Sequence, residues 1–361
     1  MTHKNEFEVQ EKLPAKSVTR RSFLKGATAI SAAASVAWAT KSTASAQQDF
    51  SEEEKLVASI IDLNACDGCE NEPTPLCVTA CKDKNKHRFP QPEEEPMDYW
   101  PRQHHEDWSK EQDRTDRLTP YNWTYVEQVT VNHNGQEKTI SIPRRCMHCL
   151  DAPCQNLCPF GVIGKTEEGA VHIDEYFCMG GAKCRDSCPW DIPQRQAGVG
   201  VYMDLMPKLG GGGVMYKCDM CADYLKEGKA PACETACPKD AIQFGPLDEM
   251  RKKAYELASE RNGYVYGDTE NAGTLTFYIS DIPFDQINEA IAASKHQDQD
   301  ERPGRPHMEP DIENMLDTAK GFMLATLIAP VAGAAAAGVN AYRKLKSYDD
   351  TKIRKDVSYD E

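Results

Sequence analysis

The chain has 361 residues, enough for two modest domains, with a formal net charge of −15 and fifteen cysteines. So acidic a chain repels phosphate backbones, which excludes nucleic acid as a partner. No phosphate-loop lysine, flavin or nicotinamide fingerprint, haem-attachment C-x-x-C-H or nucleophile–base pair occurs, so the cysteines are left to carry the chemistry.

In chain order, residues 1–46 read as a signal peptide. Thr19-Arg20-Arg21-Ser22-Phe23-Leu24-Lys25 precedes a small, apolar run from Gly26 to Thr40 and then Ala44-Ser45-Ala46. A charged start, a short apolar stretch and an A-x-A site are the parts of an export leader. The paired arginines point to the twin-arginine route, which resembles the export of proteins already folded around a cofactor. The mature chain is expected to start near Gln47. Export ordinarily suggests disulfides. Here the odd cysteine count, the spacing and delivery as a folded chain argue for thiolates that are already occupied.

Gln47 to Leu56 is polar, and Val57 to Asn64 is a predicted strand feeding the first cysteine group. Lys82 to Thr119 has no clear period and reads as an irregular surface loop. Trp123 to Val131 and Lys138 to Ile142 form a predicted hairpin, because Asn134-Gly135 favours the positive φ angles of a type I′ turn. Val162-Ile163 and Val171 to Asp174 flank a glycine turn, and Ala241 to Gly245 repeats that pattern. Asp248 to Asn262 is an amphipathic helix and Gly273 to Ile279 a strand. Residues 291–320 are expected to link, with Ala292 to Pro310 polar and proline-bearing. Gly321 to Tyr342 is 22 residues without charge, about 33 Å as a helix and enough to cross a bilayer. A buried core helix is the alternative. Arg343, Lys344 and Lys346 then place the tail, 343–361, in the cytoplasm. Gly333, Ala337 and Gly338 offer a small-residue face for another transmembrane helix.

The cysteines fall into four groups: Cys66, Cys69, Cys77, Cys81; Cys146, Cys149, Cys154, Cys158; Cys178, Cys184, Cys188; and Cys218, Cys221, Cys233, Cys237. Each group closes with C-x3-C, and Pro159, Pro189 or Pro238 follows the last three. This is the bacterial ferredoxin pattern with variable loops, in which thiolates hold iron–sulfur clusters and the fourth cysteine serves the neighbouring cluster. Soft thiolates match iron. Zinc in all-cysteine tetrahedra shares the C-x2-C pairs but has no use for three C-x3-C-P endings. The expected fold is α+β: two ferredoxin-like modules with long insertions over 47–290, plus one C-terminal transmembrane helix.

Cys146-Met147-His148-Cys149 with Pro153-Cys154, Lys217-Cys218-Asp219-Met220-Cys221, and Pro231-Ala232-Cys233 ending Cys237-Pro238 resemble the four-cluster iron–sulfur subunits of membrane respiratory oxidoreductases. Phe244-Gly245 and Ala272-Gly273-Thr274 also match. With its leader and anchor the chain is most similar to the hydrogenase-associated and high-molecular-weight-cytochrome-complex members. The resemblance covers roughly residues 55–345. It implies one cluster on Cys66, Cys69, Cys77 and Cys237, and a neighbour on Cys218, Cys221, Cys233 and Cys81. An inner pair would use Cys146, Cys149, Cys154 and Cys188, then Cys178, Cys184 and Cys158. Two departures stand out: seven residues separate Cys69 from Cys77, and Gly181 occupies the second cysteine position of the third group. The expected cofactors are three 4Fe–4S clusters and one 3Fe–4S cluster at Cys178, Cys184 and Cys158, or there an incompletely ligated 4Fe–4S cluster or none.

The resemblance implies an electron-transfer subunit, itself non-catalytic. It would work between a catalytic partner (hydrogenase or molybdenum/tungsten oxidoreductase) and an integral membrane quinone-reactive subunit. It would lie against membrane lipid on the periplasmic face of the bacterial inner membrane, single-pass. The alternative is an iron–sulfur enzyme acting on a small substrate at the three-cysteine cluster. A purely structural role for the clusters is a third reading. His148 is expected to pack beside a cluster, Trp190 to shield one, His104-His105 to be solvated, and Gly210 to Gly213 to be a loop.

Overall fold

The computed structural model describes residues 55–93, 95–98, 103–205, 212–297, 300–328 and 334, all within the unit Glu53–Glu361. The predicted leader and most of the segment 321–342 lie outside them.

The run from Val57 to Asp62 is almost continuously apolar and forms β1 (Val57–Asp62), buried from its second residue on, as a strand covered on both faces must be. Three hairpins follow: β2 (Tyr125–His133) with β3 (Gln136–Arg144), β4 (Ile163–Lys165) with β5 (Val171–Ile173), and β6 (Gln194–Gln196) with β7 (Val214–Tyr216). β8 (Ile242–Pro246), β9 (Tyr264–Tyr266) and β10 (Thr276–Ser280) join β1 in a sheet of order β8-β1-β10-β9. β1 runs parallel to β10 and antiparallel to β8, so the first and last strands lie side by side.

The helices include α1 (Leu76–Asn85), α2 (Pro153–Asn156), α3 (Lys183–Asp186), α4 (Ala232–Thr235), α5 (Leu247–Glu260) and α6 (Phe284–Gln297), with further short ones at Tyr202–Leu205 and Ala222–Lys226. In α5, Leu247, Met250, Ala254 and Ala258 recur at helical spacing and are buried against the sheet, while Asp248 and Glu249 in its first turn suit the positive end of the helix dipole. α6 lies against β2.

The predicted hairpin forms as β2–β3, two residues longer at each inner end. Its turn is Asn134-Gly135, with φ of 53° and 76°, closed by the pair His133–Gln136. The predicted strand from Gly273 begins later, at Thr276. Gly273 is occupied instead by accepting a hydrogen bond from Leu150 N, and Thr274 bridges to Cys149.

Two expectations need correction. Lys82 to Thr119 is not a surface loop: it starts inside α1 and a 3-10 turn at Lys86–Arg88, and in its irregular remainder Trp108, Arg117 and Leu118 are buried. Ala292 to Pro310 is not a free linker, since α6 extends to Gln297 and Met308 is fully buried. The two irregular segments cover each other. Arg117 donates to the Arg302 carbonyl at 2.9 Å, and Leu118 N donates to Gly304 O at 2.8 Å. Arg302 reaches Glu111 at 2.7 Å and lies 4.1 Å over the Trp108 ring. A Cβ on Gly304 would sit 2.2 Å from Leu118 O, so only glycine permits this approach. Each segment satisfies backbone groups that the other buries. A polar, period-free composition carries no sign of such mutual cover.

Residues 319–328 are helical. Among the described residues no helix is long and apolar enough to cross a membrane, and 329–342 lies outside them apart from residue 334.

If residues 300–308 are integral to the core, Met308→Ala should destabilise the protein by about 2–5 kcal/mol, read as a lowered melting temperature. A free linker would leave the melt unchanged.

Candidate functional site

The fifteen cysteines collect in four places. Cavity A is lined by Cys66, Cys69, Cys77 and Cys237, and cavity B by Cys81, Cys218, Cys221 and Cys233. At site C, Cys149 is surrounded by Cys188, Cys154 and Cys146, whose charges add to burial in raising its thiol. Cavity D is lined by Cys158, Cys178 and Cys184. A, B and D are similar in size. Each place gathers the set that the family resemblance implies.

Neighbouring thiols also fix the order of the sites. Cys77 of A faces Cys233 of B, and Cys218 of B faces Cys146 of C. Cys184 of D faces Cys154 and Cys188 of C. The four sites therefore form a row, A–B–C–D. Burial is the largest cause of strain on these thiols, with mutual repulsion added. Cys66, Cys154, Cys178 and Cys218 are pushed up to about 11 and Cys221 to about 12. Among the described residues no three or more His, Cys, Asp or Glu side chains converge on a single metal ion.

Helical spacing explains how one group serves two sites. Four residues advance about 6 Å along a helix and return to nearly the same face. In α1, Cys77 turns to A and Cys81, one turn on, to B. Cys154 and Cys158 at α2 serve C and D, Cys184 and Cys188 at α3 serve D and C, and Cys233 and Cys237 at α4 serve B and A. The preceding C-x2-C loops curl through left-handed backbone at Cys69, His148, Met220 and Cys221. In the first and fourth groups an aspartate pins this curl: Asp67 accepts from Cys69 N, and Asp219 from Cys221 N, both at 2.9 Å. The shared C-D-x-C was legible as an internal repeat marking these two groups as partners. Backbone amides also point at sulfur, Met220 N at Cys218 and Met215 N at Cys178, each at 3.4 Å.

Cavity D lacks a fourth thiol at Gly181. A Cβ there would meet only the Phe160 ring, at an ordinary 3.4 Å, so the backbone does not demand glycine. Its neighbour differs: Gly180 has φ of 63° and a Cβ would collide with Gly213 O at 2.2 Å. The rest of the lining is apolar except Lys183, whose ammonium is tied to Asp186 at 2.7 Å.

Between B and C lie two buried cations, Arg145 and Lys217. Lys217 donates to the carbonyls of Val171 and Cys218, and Arg145 to Ser59 Oγ, yet neither forms an ion pair with a carboxylate among the described residues. The Arg145 Nε has no hydrogen-bond partner among them. Burial works against the Lys217 charge, but the thiolates of Cys146, Cys154 and Cys218, with Asp219 behind them, outweigh it and raise its pKa. Buried cations need compensating negative charge. Among the described residues it is chiefly the sulfur sites that face these two cations, and an anionic cluster held there would supply the compensating charge.

The predicted loop 82–119 also supports the row. Glu106 accepts from Arg185, beside Cys184, at 2.8 and 2.7 Å, and from Arg195, which donates to Gly180 O at 3.0 Å. This holds the loop around D. Trp190 is buried and donates to the Tyr266 hydroxyl at 2.7 Å.

Four-thiol cavities on C-x3-C helical turns define a ferredoxin-like protein, and comparison with known sequences agrees. Two 4Fe-4S dicluster domain models match, over residues 65–162 and 138–247. The chain thus carries two such domains. The B polypeptide of the anaerobic dimethyl sulfoxide reductase of Escherichia coli is 41% identical over 114 residues, covering 32% of this chain and 49% of the relative. The hydrogenase-2 operon protein HybA of Escherichia coli O157:H7 is 25% identical over 264 residues, covering 63% and 71%. A protein of Nitratidesulfovibrio vulgaris is 28% identical over 269 residues, covering 73% and 65%. The matches to the first and third of these span half to two thirds of the relatives' own length.

Burial raises the Glu106 carboxyl, but the hydrogen bond and charge of Arg185 and the charge of Arg195 outweigh it and hold it below the usual carboxylate range. A depressed carboxylate stabilises above its unfolded value and loses that contribution as pH falls through its folded value. Glu106→Gln should therefore lower stability at neutral pH and flatten the acid-side decline, measured by thermal melts across that range. Parallel curves for the two proteins would show that Glu106 has no such role.

Proposed function

We propose that this chain is an electron-transfer subunit of a membrane-bound respiratory oxidoreductase, relaying electrons between a catalytic subunit and a quinone-reactive membrane subunit. The observation that carries this reading is the sorting of all fifteen cysteines into one row of four sites. Held there, iron–sulfur clusters exchange one electron at a time, and the chain supplies their spacing and electrostatics. A, B and C each bring four thiolates, so each holds a 4Fe–4S cluster. Zinc in all-cysteine tetrahedra would leave the three C-x3-C-P endings without a use.

At D we assign a 3Fe–4S cluster to Cys178, Cys184 and Cys158. Three thiolates line this cavity, and no carboxylate or imidazole does so among the described residues. The relatives whose names refer to dimethyl sulfoxide reductase and to hydrogenase-2 support a catalytic partner of the molybdenum or hydrogenase kind.

The same reading places the chain on the periplasmic face of the inner membrane, exported by its paired arginines and anchored by 321–342. Exposure of Phe322, Met323 and Leu327 on the helix 319–328 supports an apolar start to that anchor.

Two measurements test these statements. Protein isolated anaerobically should contain about fifteen iron atoms per chain, from three four-iron clusters and one three-iron cluster, and show the EPR signal of an oxidised three-iron cluster. Gly181→Cys should abolish that signal and bring the count to about sixteen. An unchanged signal in the variant would remove the three-iron cluster from D, and iron-free protein would end the relay reading. For the anchor, a chain ending at residue 320 should leave the membrane fraction with its iron intact. Retention with the membrane would refute the anchor.

A further inference from the structure

We infer that His148, from the loop of site C, sets the reduction potential of the group in cavity B through a hydrogen bond to the Cys218 sulfur. This rests on the proposal that the cysteines hold clusters. His148 is fully buried and sits at φ of 50° between Met147 and Cys149. Its Nδ1 accepts the Val171 N–H at 3.0 Å. The ring proton is therefore on Nε2, and Nε2 lies 3.6 Å from Cys218 Sγ, within reach of an N–H···S bond.

The orientation is fixed from both sides. Val171 belongs to β5, and Lys217 holds its carbonyl while also donating to Cys218 O at 3.0 Å. Turning the imidazole over would leave the Val171 amide unpaired in the interior, at a cost of about 1–3 kcal/mol. His148, Val171, Lys217 and Cys218 thus lock the C loop to the B loop. Cys218 also receives the Met220 amide at 3.4 Å, but that donor belongs to its own loop. The imidazole is a side-chain donor reaching across from the next site.

A hydrogen bond to a ligand sulfur draws electron density from it and favours the reduced, more negative form, so it raises the potential. His148 is a positioning residue in this sense: it touches the ligand and not the iron. Removing it should lower the potential at B and leave the most distant site, D, in place.

The experiment uses the loaded full-length protein labelled with 15N-histidine. Pulsed EPR of the reduced protein should show a nitrogen coupling to one cluster, absent from His148→Leu. In a potentiometric titration, one midpoint should move to more negative values in His148→Leu and return towards its original value in His148→Gln, which keeps an N–H donor. Fully loaded protein with no histidine coupling would overturn the inference, as would midpoints that all stay fixed or all move together. Iron content separates this from the underlying proposal, because protein without iron sinks that proposal instead. Should His148→Leu fail to load, the coupling in the unsubstituted protein decides the matter.

Discussion

Thiolates resist being buried beside one another, and the interior of this protein is organised around that resistance. Wherever a cysteine shift is resolved it is upward, first from lost hydration and then from repulsion among sulfurs. Three kinds of compensation surround them. Loop amides aim at sulfur, left-handed turns expose those amides, and Arg145 and Lys217 stand between B and C without carboxylate ion pairs among the described residues. Two isolated cations in a dry interior would be as costly as the thiolates. Each becomes tolerable because of the other, so the cation seam and the sulfur sites are one arrangement.

The same arrangement explains the four-residue spacing. A helical turn is long enough to hand one sulfur to each of two adjacent sites, and too short to separate them widely. Every C-x3-C unit therefore staples neighbours together, A to B through α1 and α4, C to D through α2 and α3. No such unit joins B to C. There the connection is polar: His148 to Val171 and Cys218, Lys217 to both, Arg145 to Ser59.

Much of this was legible in the residues. Cysteine spacing marked the four groups, the family resemblance implied how they pair, and Asn134-Gly135 gave the hairpin its register by a local rule of backbone geometry. The helix around Leu247–Glu260 followed from its period. What escaped was non-local. Trp108, Arg117 and Met308 lie in polar stretches whose burial depends on each other across nearly two hundred residues, and no local pattern reports a partner so remote. The parallel pairing of β1 with β10 was hidden for the same reason. The C-D-x-C repeat at Asp67 and Asp219 was in plain view, and the role of His148 was not, since it depends on where β5 passes.

The juxtaposition of β1 and β10 has a consequence for how the molecule is made. Sites C and D draw on a continuous stretch, residues 146–188, and their cysteines have all been synthesised by mid-chain. A and B draw on both ends, Cys66 to Cys81 and Cys218 to Cys237, and the sheet beneath them closes only when Thr276–Ser280 docks beside Val57–Asp62. The approach to that last strand also braces the site C loop, Gly273 and Thr274 pairing with Leu150 and Cys149, so neither half has all its supports until the end of the fold is in place.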